Sequence, residues 1–518
     1  MAIDHEVIVI GAGFSGIGAA IKLRRSGISD FVILDARADV GGVWYVNTYP
    51  GVAVDITSFT YSFSFEPNPD WTRVFAPGAE LKHYADHCVA EYGLREHLHL
   101  NTRVVGVKWD EAQHFWRVST ADGQELTTRF LITGVGGLTQ PKRPDLPGLA
   151  EFAGTVMHTA EWDHSVDLTG RRVGIIGTGA SALQIIPQIT GRVAHLHVYQ
   201  RTPIWVFPKF DFALPPRARR LFRAVPATQR AVRAVTTALT ELIMVAAISY
   251  NRQFSWTTKA IEAICRWHLR RQVPDPHLRE KLLPHYGFGC KRPSFSNTYL
   301  KSYTEPNVEL VTEGIDRVTP TGIRTTDGRE QHFDTLILAT GFRVFEPGNT
   351  PPFPVIGRDG VELGEFWEKE RYQAYEGTSV PNIPNLWLVL GPYSFTGNSW
   401  FSMIEYQTTH ALRCIEEARR RGATAVTVSR QANDTFFATM QRRQQHSVFF
   451  NNNCGSANSY YFDQNGDAPF VRPSFTAEAT WRAKHFPMSD YVFDSVAPPA
   501  HVEPRTTGVR YRLAPRAR

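Results

Sequence analysis

Gly11-Ala12-Gly13-Phe14-Ser15-Gly16 closes the apolar run Val7 to Ile10 and opens a helix-like stretch from Ile17 to Arg24. Much later, Gly177-Thr178-Gly179-Ala180-Ser181-Ala182 closes Val173 to Ile176 in the same way. A strand that runs through such a turn into a helix binds phosphate: the first glycine permits the tight turn, the second admits a pyrophosphate, and the helix N-terminus offers N–H groups to the anion. The residue ending the next strand separates the two turns. Asp35, after Phe31 to Leu34, is placed to accept from a ribose 2′-OH, whereas Arg201, after Leu196 to Tyr199, is placed to meet a 2′-phosphate. The pair reads as FAD first and NADPH second. A single glycine turn can arise for packing reasons alone; two, each with the expected residue after the next strand, are a much more specific signal.

Leu131-Ile132-Thr133-Gly134 and Leu338-Ala339-Thr340-Gly341-Phe342 each follow an apolar strand, as where a chain crosses between nucleotide domains. The expected fold is therefore α/β, with two Rossmann-like dinucleotide-binding domains for FAD and NADPH. Residues 1–150 are read as the first part of the FAD domain, with a helix from Gly78 to Tyr92 and strands near Arg103 to Trp109, Phe115 to Thr120 and Thr127 to Ile132. Residues 151–340 form the NADPH domain, carrying a helical insertion at about 214–284. Residues 341–518 return to the FAD domain and end in a C-terminal loop and tail.

Composition bounds the class. At 518 residues the chain is long enough for two or three well-buried domains. The net charge of +6 suits two polyanionic cofactors, and with no recognised module beside it, it argues against nucleic-acid binding. Part of the excess lies in a tail carrying Arg505, Arg510, Arg512, Arg516 and Arg518, expected to be frayed and solvated. The five cysteines, Cys88, Cys265, Cys290, Cys414 and Cys454, are scattered, odd in number and without C-x-x-C spacing. That argues against a disulfide framework, a metal site or a dithiol reductase, and for a reducing cytoplasm. The first strand starts so near the N-terminus that no signal peptide is expected before it. The most apolar stretch, Leu239 to Ile248, is interrupted by Glu241 and is too short for a transmembrane segment.

Phe152-Ala153-Gly154 through His158 to Trp162-Asp163 resembles, at every fixed position, the F-x-G-x-x-x-H-x-x-x-W-[P/D] signature of the type I Baeyer-Villiger monooxygenases. Gly41-Gly42-Val43-Trp44 through Tyr49-Pro50-Gly51 to Asp55 is similar to that family's G-G-x-W-x-x-x-x-[F/Y]-P-G-x-x-x-D motif. Lys291-Arg292 stands where the family has its catalytic Lys-Arg, and Gly391-Pro392 with Ile404-Glu405 resembles its last flavin-side motif. The resemblance runs from about Val7 to about Tyr491. It implies an NADPH- and O2-dependent enzyme that inserts one oxygen beside a ketone carbonyl, through a C4a-peroxyflavin, to give an ester or lactone.

Such chemistry needs a fixed cation that keeps the peroxide anionic and stabilises the tetrahedral adduct. Arg292 suits the task because guanidinium stays protonated and offers a planar fork of donors; the family motif places Asp55 to orient it. The resemblance implies FAD contacts from Gly11, Gly13, Phe14, Ser15, Asp35, Gly42, Val43, Trp44, Asp55, Tyr61, Val104 and Trp400. It implies NADP contacts from Gly177, Thr178, Gly179, Ala180, Ser181, Arg201, Thr202, Lys291 and Arg292. Gly154, His158 and Trp162 are assigned a conformational role at the hinge between domains, where rearrangement can gate turnover.

The chain departs from the family in places. Thr48 and Val54 stand where many relatives carry Arg and Cys, and Tyr460, in the loop Asn458 to Asp467, replaces a tryptophan. An N- or S-oxygenating monooxygenase on the same fold stays open, and so does a reductase or oxidase that inserts no oxygen. For the basic insertion, a helical subdomain roofing the substrate channel fits the resemblance better than a helix lying on a membrane surface.

Overall fold

The two runs of apolar strand, glycine turn and helix generate two sheets in the computed structural model, which describes residues 3–346 and 348–496. The arginine-rich tail lies outside the described residues. The first sheet is built around β1 (His5–Ile10), which runs through the glycine turn into α1 (Phe14–Arg25) and on to β2 (Phe31–Leu34). It continues through β3 (Leu98–His99), β4 (Val104–Asp110), β5 (Phe115–Thr120) and β6 (Glu125–Thr133). The second consists of β7 (Thr155–His158), β8 (Arg172–Ile176), β9 (His195–Tyr199), β10 (Val308–Val311) and β11 (Thr335–Leu338), with α2 (Ala180–Ile189) following the second glycine turn. Two later strands, β12 (Val355–Ile356) and β13 (Leu386–Leu388), return to the first sheet.

The first sheet has the order β12-β4-β5-β6-β1-β2-β3, with β13 also paired to β6. The N-terminal half of β6 pairs antiparallel with β5 (Trp116 opposite Thr128), and its C-terminal half pairs parallel with β13 (Leu386 opposite Leu131). The returning chain thus takes the edge that β5 vacates. The second sheet, β10-β9-β8-β11-β7, is parallel throughout. Val7, Ile8, Val9 and Ile33 are fully buried, as parallel strands covered on both faces must be. In each sheet the glycine turn leaves the C-terminal end of a central strand, where open α/β sheets bind ligands.

Between the second sheet's β9 and β10 lies the insertion: α3 (Pro216–Ala224), α4 (Pro226–Thr240), a π-helical turn Glu241–Val245, α5 (Ala246–Ser249) and α6 (Asn251–Gln272). Helical patterning is confirmed there, but one expectation fails. The helix from Pro226 to Ser249 runs unbroken for 24 residues, because Glu241 is accommodated in the π-turn instead of ending it. The length limit read from Leu239 to Ile248 therefore does not hold, and this is the one helix among the described residues long and apolar enough to cross a membrane.

The cysteine reading is corrected as well. Cys290 and Cys454 form a disulfide with Cα atoms 5.1 Å apart, while Cys88, Cys265 and Cys414 are free and buried. The pairing joins positions 164 residues apart, which spacing rules cannot register. It also removes the support that unpaired cysteines lent to a reducing compartment.

Candidate active site

Both glycine turns open into one cavity of about 1490 Å3. Its walls include Gly11, Gly13, Phe14, Ser15, Asp35, Gly42, Val43, Trp44, Asp55, Tyr61, Val104 and Trp400 on one side. Gly177, Thr178, Gly179, Ala180, Ser181, Arg201, Thr202, Lys291 and Arg292 line the other. Every residue expected to touch a cofactor is therefore brought to a single space. Gly154, His158 and Trp162 are not among its lining residues.

The first turn is held by backbone. Gly11 adopts φ +103°, and a Cβ on Gly16 would stand 1.7 Å from the Gly11 carbonyl oxygen, so only glycine lets α1 start this close to β1. Asp35 is fixed in turn: one carboxylate oxygen accepts from the Ala12 N–H at 2.6 Å, the other from the Arg37 N–H at 2.7 Å. Neither α1 nor α2 has a side-chain cap or an acidic residue in its first turn. Their N–H groups thus face the cavity unanswered, a donor set that fits a pyrophosphate at each turn. Trp44 donates from its indole N–H to the Tyr61 hydroxyl at 3.1 Å, and Tyr61 packs edge-on against Phe401.

Arg292 faces Asp55 across the junction, with Nε donating to Oδ2 at 2.7 Å and Nη2 2.6 Å from the same oxygen. Burial opposes the guanidinium charge, but Asp55 more than offsets it and holds the group well above its ordinary range. One residue earlier the balance reverses. Burial, then the nearby Arg201 charge, push the Lys291 ammonium down to about 8.

The segment carrying Tyr49 to Asp55 is stitched to α2 by a residue the sequence did not single out. Gln184 accepts from the Tyr49 hydroxyl at 3.1 Å and donates to the Ala53 carbonyl at 2.9 Å. Its signal was a lone amide in the apolar helix run Ala182 to Ile186. Asn458, in the C-terminal loop, donates to the Thr202 hydroxyl at 2.9 Å, and Asn453 of the same arm donates to the His285 carbonyl at 3.2 Å. With the Cys290–Cys454 bond, these contacts hold that loop over Lys291 and Arg292.

His158 is buried; Nδ1 accepts from the Ala160 N–H at 3.1 Å, and the ring meets Phe342 edge-on. Burial lowers its pKa. Gly154 lies where a Cβ would approach the Asp334 carbonyl oxygen to 2.7 Å. These residues thus join the first strand of one sheet to the segment returning to the other. None of the residues between positions 205 and 290 lines this cavity. The helices of the insertion pack instead on the outside of the first sheet's loops, Thr236 bonding Thr60 and Arg233 the carbonyls of Phe59 and Ser62.

A chain with two such turns on one cavity is a two-dinucleotide oxidoreductase in class. A model of the pyridine nucleotide-disulphide oxidoreductase family matches residues 8–263; with no C-x-x-C in the chain, the likeness lies in the nucleotide-binding fold. A Baeyer-Villiger monooxygenase of Pseudomonas aeruginosa is 39% identical over 94% of this chain and 91% of its own length. Another from Streptomyces coelicolor is 38% identical over 94% and 93%. The crystal structure of OTEMO in complex with FAD and NADP superposes with a TM-score of 0.83 at 25% identity, covering 95% of this chain and all of that one. The chain belongs to the Baeyer-Villiger monooxygenase family.

Proposed function

We infer that the chain is an FAD-containing, NADPH- and O2-dependent monooxygenase that inserts one oxygen beside the carbonyl of a ketone to give an ester or lactone. The observation that carries this reading is the Arg292–Asp55 pair, set where both dinucleotide turns meet in one cavity. Bound FAD, reduced by NADPH, supplies the activation of O2. The protein's part is to bind, orient and stabilise charge.

On the flavin side, formed by residues 1–150 and 341–518, the N–H groups of Gly13, Phe14 and Ser15 take the pyrophosphate and Asp35 the ribose. Gly42, Val43 and Trp44, the last steadied by Tyr61, would hold the ring system, Val104 the adenine and Trp400 the pyrimidine edge. On the coenzyme side, residues 151–340, Gly177 to Ser181 take the pyrophosphate, while Arg201, Thr202 and Lys291 hold the 2′-phosphate. Arg292, steadied by Asp55, offers a permanent cation to the negative charge that develops on the substrate's carbonyl oxygen. His158, Trp162 and Gly154 couple the two sheets and act in domain movement, not proton transfer.

A fixed cation beside the reacting oxygen favours nucleophilic attack on a carbonyl over electrophilic transfer to nitrogen or sulfur, which sets the ketone reading above an N- or S-oxygenase. The test is a substrate panel on FAD-loaded protein, with ester, sulfoxide and N-oxide quantified per NADPH consumed. Ester as the main product is expected. Sulfoxide or N-oxide formed in preference from every pair of substrates, or NADPH consumed with no oxygenated product, overturns the assignment.

A further inference from the structure

Of the sixteen large hydrophobic side chains exposed among the described residues, twelve lie between Phe210 and Trp267. None of the twelve lines the cavity. This density, in about a tenth of the chain, is far from the scattered exposure that ordinary surfaces show.

Four of the twelve lie on helix α4 and the π-turn that follows it, and there the helix is built inside out. Three of its polar residues face the protein: Gln229 donates to the Asn68 carbonyl at 2.6 Å, Arg233 to those of Phe59 and Ser62 at 3.0 and 2.8 Å, and Thr236 meets Thr60 at 3.0 Å. In the π-turn that follows, Glu241 accepts from Asn398 at 2.6 Å and from the Thr476 N–H. The opposite face carries Val235, Leu239, Leu242 and Ile243, exposed at 59%, 50%, 67% and 43%. A helix on a water-facing surface has the reverse polarity. Only 17% of the most apolar stretch between Pro226 and Ser249 is buried. The length suffices to cross a bilayer, but the inward bonds fix the helix along the protein, with its apolar outer face turned to the phase that surrounds the molecule.

Charge selects the phase. Residues 212–272 hold eleven arginines and lysines against two glutamates, an excess of nine that surpasses the +6 of the whole chain. Both glutamates are engaged, Glu241 as described and Glu262 with the Phe288 N–H and Arg266. Arg223 pairs with Asp70; Arg217, Arg220 and Arg230 are exposed and make no ion pair among the described residues. A second copy of the chain on this face would set one basic margin against another, which like charge disfavours. An anionic bilayer complements both parts, taking the alkyl groups at the acyl boundary and the guanidinium groups at its phosphates.

We propose that the outward face of α3, α4 and the π-turn Glu241–Val245 is a monotopic docking surface for an anionic lipid bilayer. The inference is independent of the reaction assigned above. Full-length, FAD-loaded protein is floated with vesicles of phosphatidylcholine alone or mixed with phosphatidylglycerol. Co-flotation with the anionic vesicles, weakened by salt, is expected. L239D/L242D abolishes it while leaving the thermal midpoint and NADPH oxidation unchanged, and R217E/R220E/R230E removes the preference for anionic lipid. The proposal is overturned if the parent protein stays in the aqueous fraction, or if L239D/L242D floats as the parent does. It is equally overturned if light scattering finds a parent dimer that this variant turns into a monomer, with no flotation: the face is then an interface between copies.

Discussion

The two glycine turns are near copies in backbone and opposites in charge. Gly11 and Gly177 sit at φ +103° and +113°, Gly13 and Gly179 both cap their helices at φ −73°, and the flanking strands pair in the same parallel sense. On the flavin side Asp35 is answered by two backbone N–H groups, and where the two sides meet Arg292 is answered by Asp55. On the coenzyme side Arg201 stands near Lys291, and no carboxylate pairs with either among the described residues. The Asp35 and Arg292 charges are met within the protein, and the Arg201 and Lys291 charges are met by an incoming dianion. That difference suits one cofactor that stays and one that exchanges.

The most severe way to break the comparison is to remove the cation that the protein itself answers. In Arg292→Ala, ester formation is expected to fall by about 10²–10³-fold, the usual loss of one preorganised donor at a developing oxyanion, while FAD stays bound through its other contacts. Product yield and the flavin-to-protein ratio are the measurements, and near-native ester from a fully loaded variant removes Arg292 from the chemistry. On the coenzyme side, Arg201→Ala loses a charge-assisted bond worth about 1.5–3 kcal/mol, roughly a 10- to 100-fold rise in KM for NADPH. NADH is left unchanged; equal losses with both coenzymes exclude a phosphate contact.

A milder pair sharpens the comparison turn against turn. A Cβ on Gly16 meets the Gly11 oxygen at 1.7 Å, whereas one on Gly179 meets nothing within 4 Å. Gly16→Ala is expected to destabilise the protein by about 1–3 kcal/mol or more. Gly179→Ala should leave stability within about 0.5 kcal/mol and weaken NADPH binding, because that Cβ meets no protein atom but would stand where a bound pyrophosphate is expected. Thermal midpoints with and without NADPH decide it; a large loss in the coenzyme-free Gly179→Ala protein means that this glycine serves packing.

The turns were legible because each is local: strand, glycines, helix and the deciding charge fall within about 30 residues, and hydrophobic periodicity carries the rest. The Arg292–Asp55 contact spans 237 residues and was reached only through motif resemblance. The Cys290–Cys454 pairing had no signal at all, since spacing rules read neighbours along the chain. The insertion shows a third limit. Its amphipathic pattern was visible, but a pattern does not say which face turns inward, and the default of apolar-inward fails for α4. There the carbonyls of Phe59, Ser62 and Asn68 offer acceptors to Arg233 and Gln229, and a partner for polar groups decides the orientation.

The smallest effect probes the charge imbalance itself. Lys291 titrates near 8 in the free protein because burial and Arg201 disfavour its proton, and a 2′-phosphate placed beside it restores the proton by raising that pKa. The bound form therefore keeps a proton that the free form begins to lose above about pH 8. Affinity for NADPH should be flat below that point and weaken above it, by at most about ten-fold per pH unit. Proton uptake on binding should peak in the same interval. Arg292 is held upward by Asp55 and does not titrate there, so FAD retention should stay level across the range. Lys291→Arg, always charged, should flatten the NADPH curve at high affinity, and Lys291→Met should flatten it at low affinity. Isothermal titration in two buffers of different ionisation enthalpy gives both the Kd and the proton count. A wild-type Kd that is level from about pH 7 to 10, or a slope that persists in Lys291→Met, would mean that the coenzyme side is already neutralised and the contrast between the two pockets is wrong.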